Sequence, residues 1–350
     1  MIKLIDRFNF IALYFLLFPV LSLSHHSMAE FDRTVVSEIE GLVSKISWRN
    51  PHILFEIEEK REDSSTITWI VEGGAISAQR RRGFTGDEIS IGDRVLVAGN
   101  PSTARDNYIQ VSHMLIQDQQ LELLLGASSE PRWSNTFIGD DRSLAIDVGY
   151  SENPGIDSSL SRENIFKVWS QAVRAWFFQD TSQNLTDSAI IAASNFDNIL
   201  DNPLLECVPP GMPSLMGNPY PMQFFQAGGN IEIIFEEFDA KRIIVMGENI
   251  LDAEDIPYSH TGYSIGEWQD STLVVKTDRI DWPYLNRVGV PQSTNVKITE
   301  YFNATDDVLH YKLVVDEPIS LLEPFVWEAH WVNLPGETVE PYQCVAEDTA

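Results

Sequence analysis

From residue 221 onward the chain alternates apolar and polar residues with a period of two, which leaves room for little but sheet. Runs at 222–226, 230–238, 240–246, 263–269, 272–278, 296–303, 308–315 and 325–332 read as strands. Many of the joints between them are short turns: Ala227-Gly228-Gly229, Phe238-Asp239-Ala240, Gln269-Asp270-Ser271 and Ala304-Thr305-Asp306-Asp307. Short joints favour antiparallel pairing of consecutive strands. The expected product is an antiparallel up-and-down β barrel or a strongly curved sheet.

An earlier block, 25–120, carries a different order. Strand patterns at 35–48, 52–58 and 66–71 precede a helical stretch at 75–82, and two more follow at 94–98 and 108–116. Gly41 marks a bulge or bend in the first, and Asn50-Pro51 breaks the chain before the second. Three strands, a helix and two strands match an OB-like five-stranded barrel. Residues 121–164 read as linker and irregular segment. The rest, 165–345, reads as a mostly β domain preceded by short helices. One helical pattern spans 162–178 (Ile165, Val168, Trp169, Val173, Trp176, Phe177), and another spans 186–195 with Thr186 as N-cap. The fold class is therefore mainly β, with an OB-like barrel, a C-terminal barrel or curved sheet, and a few short helices between.

The first 24 residues have the parts of a cleavable signal peptide. Lys3 and Arg7 give a positive start, residues 10–21 form an apolar run broken only by Pro19, and Ser22-Leu23-Ser24 offers small residues for cleavage. The run is shorter than the roughly 20 residues a membrane span needs, so membrane contact is expected only through an uncleaved signal. The reading is a periplasmic or secreted protein of a Gram-negative bacterium, starting at His25-His26-Ser27. The formal charge is −28, from 52 acidic and 24 basic residues. Losing Lys3, Arg7 and Asp6 removes one net positive charge and leaves −29. So acidic a surface repels phosphate backbones, which excludes nucleic acid as a partner and otherwise serves solubility. Cys207 and Cys344, the only two cysteines, lack CxxC spacing; in an exported chain they read as a structural disulfide.

Two segments resemble uncharacterised exported bacterial proteins. His25-His26-Ser27, Glu30-Phe31-Asp32, Trp48-x-Asn50-Pro51-His52, Trp69-x-x-Glu72 and Gly92-Asp93-x-Val95 are similar to a family of unknown function with His-His-Ser after the signal peptide. Met28 and Ala29 stand where those relatives more often place Phe. Asp201-Asn202-Pro203, Cys207-x-Pro209-Pro210-Gly211-Met212-Pro213, Gly262-Tyr263-Ser264-Ile265-Gly266-x-Trp268 and Thr272-Leu273-Val274-Val275 resemble a second uncharacterised domain over 165–345. Neither resemblance implies a catalytic residue. Both imply export, and the second places the two cysteines in one domain.

The chemistry that stands out is at the cleaved terminus. A free amine and the ring of His25 form a chelate, and His26 or His52 supplies a further nitrogen. Such donors suit Cu(II) ahead of Ni(II) or Zn(II). The plain alternative is an exposed polar His pair. His113, in the fifth strand, reads as a surface or core residue before a ligand. Gly262-Tyr263-Ser264-Ile265-Gly266 matches the G-x-S-x-G nucleophile elbow, with His310 and His330 downstream. An elbow needs a strand turning into a helix, whereas residues 267–278 read as strand, turn and strand. Glu232, Glu236, Glu237 and Asp239 read as solvated charge on an outer strand face. Arg80-Arg81-Arg82 reads as a salt-bridge partner. Phe224, Phe235, Trp268, Tyr301, Phe325, Trp327 and Trp331 either fill the barrel or line a lumen for a small apolar ligand. The sequence thus points to a non-catalytic binding or accessory protein, with a metal ion or small ligand as its partner; a ligand-carrying barrel and a serine hydrolase using Ser264 are the alternatives.

Overall fold

The computed structural model describes residues 30–126, 130–139, 160–171, 184–198, 200–218, 220–247, 256–333, 336 and 338–344. It begins with β1 Ser37–Ser47, β2 Leu54–Lys60, β3 Thr66–Glu72, α1 Ile76–Arg81, β4 Arg94–Pro101 and β5 Tyr108–Ile116. β1 pairs with β2 and β4, β2 with β3, and β4 with β5. A parallel pairing of β3 with β5 closes the five strands, the connectivity of an OB barrel. Alternate residues point inward, among them Ile39, Val43, Phe55, Ile57, Val71, Val95, Val97 and Ile109, and form one buried core. Gly41 is required by close approach, since a Cβ there would lie 2.4 Å from the Glu58 carbonyl oxygen. The register shift itself comes slightly later, between Val43 and Lys45.

The first part of the stretch read as linker instead extends this sheet. β6 Leu121–Leu124 and β7 Thr136–Ile138 add to β5 in turn. Their position is fixed by Glu122, fully buried, whose carboxylate accepts backbone N–H bonds from Arg132, Trp133 and Ser134 at 2.8 Å each. Leu123 and Leu125 join the barrel core.

The second barrel consists of β8 Val168–Gln171, β9 Met222–Ala227, β10 Asn230–Phe235, β11 Lys241–Met246, β12 Tyr263–Gln269, β13 Thr272–Asp278, β14 Lys297–Ala304, β15 Val308–Asp316 and β16 Phe325–Val332. Each strand pairs with the next in sequence, and β16 returns to β8 to close the barrel. An odd number of strands cannot close with every pair antiparallel, so one parallel joint is forced. It falls between β11 and β12. A 3-10 turn at Arg162–Ile165 followed by β8 corrects the first part of the helix expected over 162–178, while residues 172–178 lie outside the described residues. Trp169 is wholly buried, and packing into the barrel seam between β16 and β9 outweighs the local helical pattern. The second expected helix does form, as α2 Asp187–Ser194, with Thr186 Oγ1 accepting the Ala189 N–H at 3.3 Å. No helix among the described residues is long and apolar enough to cross a membrane.

The two barrels meet through the C-terminal tail. Tyr342 makes a parallel bridge to Asn50 of the first barrel and donates its N–H to Asp239 Oδ1 of the second at 3.1 Å. Glu340 pairs with Arg80 and gives its backbone N–H to Glu236 Oε2. Ser77 of α1 donates to the other oxygen of Glu236 at 2.6 Å. The Cys207–Cys344 disulfide, with Cα atoms 5.9 Å apart, pins the end of that tail. These contacts correct the reading of Glu236 and Glu237 as solvated, whereas Asp239 is exposed and Glu232 half-buried. β10 stops at Phe235, and Glu236 and Glu237 are 0% and 2% exposed in a tight turn under the tail. Their charge is compensated locally. Glu237 accepts from Arg287 and Asn218, and burial raises its pKa. Burial first, then the Glu237 charge, pushes the neighbouring Tyr220 hydroxyl up to about 12.

Candidate functional site

His52 lies at one rim of the OB barrel, just ahead of β2. Its backbone is fixed by a pair of bonds that follow it: Ile53 N–H to Gly74 O at 3.2 Å, and Gly73 N–H to Ile53 O at 2.8 Å. Gly73 permits this approach, because a Cβ there would sit 2.6 Å from Ile53 Cγ1. Asn50 anchors the other side by accepting the Ile76 N–H at the start of α1 (3.0 Å). The half-buried imidazole is thereby set with Nδ1 3.2 Å from the Gly73 carbonyl oxygen and 3.5 Å from Glu72 Oε1. A nitrogen facing a carbonyl oxygen carries the hydrogen, so Nε2 carries the lone pair. That division of roles is the one found in metal-ligating histidines.

A chain of polar contacts runs from His52 back to the start of the described chain. Glu72, 6% exposed, accepts from the Tyr108 hydroxyl at 2.5 Å through its second oxygen. The Arg105 guanidinium lies 3.3 Å above the Tyr108 ring and bonds Glu30 with Nε and Nη2 at 2.6 and 2.7 Å. Burial, reinforced by the Glu72 carboxylate, holds the Tyr108 hydroxyl far above its usual range. Burial opposes the Arg105 charge, but the bonds and charges of Glu30 and then Glu72 more than offset it, and its pKa rises. Glu30 follows His25 by five residues and His26 by four. Those two histidines lie outside the described residues. From Glu30 an extended chain of five residues spans up to about 17 Å. Among the described residues no group of three metal-ligating side chains is gathered, so His52 alone of the predicted ligands has a described position.

His113 is occupied otherwise. Its Nδ1 contacts Ser112 Oγ at 2.8 Å and its Nε2 contacts the Glu130 carbonyl oxygen at 2.9 Å, with Trp133 edge-on.

The second barrel carries its own polar group, and Ser264 belongs to it. Ser264 is fully buried in the middle of β12–β13 pairing, with no helix after it: β12 turns at Asp270 directly into β13. Its Oγ accepts from Arg242 Nε at 3.0 Å and contacts Thr277 Oγ1 at 3.0 Å. Arg242 also bonds both carboxylate oxygens of Glu300 and donates to Thr277 at 2.7 Å. The Tyr311 hydroxyl completes the set with a 2.8 Å bond to Glu300. His310 and His330 sit on the opposite, outer face of β15 and β16, so the nucleophile elbow is not formed and Ser264 has no histidine base in this arrangement. Arg242 was missed by sequence reading. The signal was its phase with Ile244, which puts both inside and leaves Ile243 58% exposed.

The aromatic residues pack on one another across the same interior. Phe224 meets Phe302 edge-on at 5.5 Å, Phe302 meets Tyr311 at 4.9 Å, and Tyr311 meets Trp327 and Trp331 at 5.8 and 5.0 Å. Trp268 instead borders a cavity of about 540 Å³, with Met246, Ile265 and Val274 among its other walls. Tyr301, expected among them, is out of phase with the buried Glu300 and Phe302 and faces outward.

A model of a family of unknown function (DUF6152) matches residues 16–108, a span that holds His25, His26 and His52 and ends at the first residue of β5. No curated protein matches the chain.

Proposed function

We propose that this is an exported, non-catalytic accessory protein of the periplasm that binds a copper ion at its processed N-terminus. The His25 amine and ring chelate the ion, His26 adds a donor, and His52 Nε2 holds the assembly against the barrel rim. Nitrogen donors of this kind suit Cu(II). The observation that carries the reading is the pairing of His52 Nδ1 with the Gly73 carbonyl and Glu72, at the rim from which Glu30 leads back to residue 25. Binding then ties the processed chain end to the first barrel, beside the Glu72–Tyr108–Arg105 group.

The test is a Cu(II) titration of the secreted protein whose mass shows His25 first. One equivalent is expected. A chain with one extra alanine ahead of His25 loses the six-membered chelate of the terminal amine with its own ring, and His52→Gln loses the rim ligand. Each is expected to weaken that equivalent at least tenfold. Unchanged affinity in both variants sinks the proposal.

A further inference from the structure

A second pair of imidazoles lies far along the sequence, on the outer wall of the second barrel. His310 of β15 and His330 of β16 are directly opposite in the antiparallel register. Their Nδ1 atoms are 3.0 Å apart, with ring centroids at 4.8 Å and ring planes at 84°. The residues on either side of them, Leu309, Tyr311, Ala329 and Trp331, are buried in the core, so the backbone that carries the rings is held rigidly. The rings themselves are half-buried.

Two nitrogens at this distance cannot both carry hydrogens directed at each other, so at least one presents a lone pair. In this contact one Nδ1 donates to the other at hydrogen-bonding distance. By the general affinity order for nitrogen donors, an ion bridging the two in place of that hydrogen is Cu(II) ahead of Ni(II) and Zn(II). We propose that His310 and His330 form a second, independent site for a divalent cation, Cu(II) foremost, with water in the remaining positions. Ligation exchanges the Nδ1–Nδ1 hydrogen bond for two nitrogen–metal bonds, one from each ring. Glu328 lies 3.8 Å from Lys312, and Asn303, opposite His310 on β14, accepts from Thr272 at 2.6 Å.

This site shares no residue with the rim, and the two are separable in one set of titrations. CuCl2 is titrated into the processed full-length chain, with calorimetry for stoichiometry and electron paramagnetic resonance for the nitrogen count. Two equivalents are expected. The His310→Gln/His330→Gln double variant keeps the terminal equivalent and loses the other. A chain with an alanine ahead of His25 and asparagine at 25, 26 and 52 keeps one equivalent, whose spectrum shows two imidazole nitrogens. His330→Gln alone, removing one donor at the surface, weakens that equivalent at least tenfold with an unchanged melting temperature. An undiminished count in the 310/330 double variant, or no bound copper in the chain lacking the terminal ligands, overturns the proposal. Loss of the terminal equivalent alone speaks only against the rim site.

Discussion

Each barrel contains an arginine bonded twice to a glutamate, and the two pairs are used differently. In the first barrel, Arg105–Glu30 sits at the rim with the arginine 20% exposed, and its neighbours Tyr108 and Glu72 lead outward to His52. In the second, Arg242–Glu300 is 1% and 0% exposed, and Ser264, Thr277 and Tyr311 close its remaining bonds. A charge group that is satisfied internally offers nothing to a ligand. The rim group ends instead on the imidazole that the proposed copper site uses. A motif matched by letters, such as the one around Ser264, takes its meaning from which side of the wall its side chain faces.

The largest effect is expected inside the second barrel. Arg242→Met leaves Glu300 buried without its cation and should cost about 3–5 kcal/mol, whereas Arg242→Met with Glu300→Leu should recover most of that loss. Urea unfolding of the single and double variants measures both. A single variant within about 1 kcal/mol of the parent would break the contrast, because the lumen pair would then matter no more than an exposed one.

Next comes the tail that joins the barrels. Cys344→Ser releases a long closed loop and should lower stability by about 2–5 kcal/mol. It also loosens Glu340 and Tyr342 from Arg80 and Asn50, so calorimetry should resolve two transitions where the oxidised parent gives more nearly one. Identical profiles for the two proteins would mean that the barrels are coupled without the tail.

The smallest change in stability is expected at the rim, with the largest consequence for binding. Glu72→Gln keeps a partner for the Tyr108 hydroxyl and should cost only about 1 kcal/mol. Copper affinity at the terminal site should fall roughly 10- to 100-fold, as for other groups that orient a ligating histidine. A variant that binds copper like the parent would place Glu72 outside the site.

Much of this architecture is legible from periodicity. The five strands and helix of the first barrel and all eight strands from residue 222 onward are where alternation and turn residues put them, within a few residues at the ends. What alternation cannot reveal is a partner distant in sequence. β8 is four residues long and exists because β16 and β9 leave a seam for it. Glu236 and Glu237 look solvated until Ser77, Arg287 and the tail, each far away in the chain, are brought onto them. Arg242 looks like an outer residue because a buried arginine needs Glu300 58 positions later. At the candidate site, the Trp-x-Asn-Pro-His segment drew attention to His52, but Glu72, Tyr108, Arg105 and Glu30 converge on that rim only through barrel closure.

The account rests on His52 acting as a ligand in concert with the processed chain end. Copper-edge anomalous scattering from crystals of the processed protein locates the ion directly. The account predicts a peak about 2.0 Å from His52 Nε2, shared with the amine and ring of His25. A fully occupied terminal copper with His52 Nε2 outside bonding distance would contradict it.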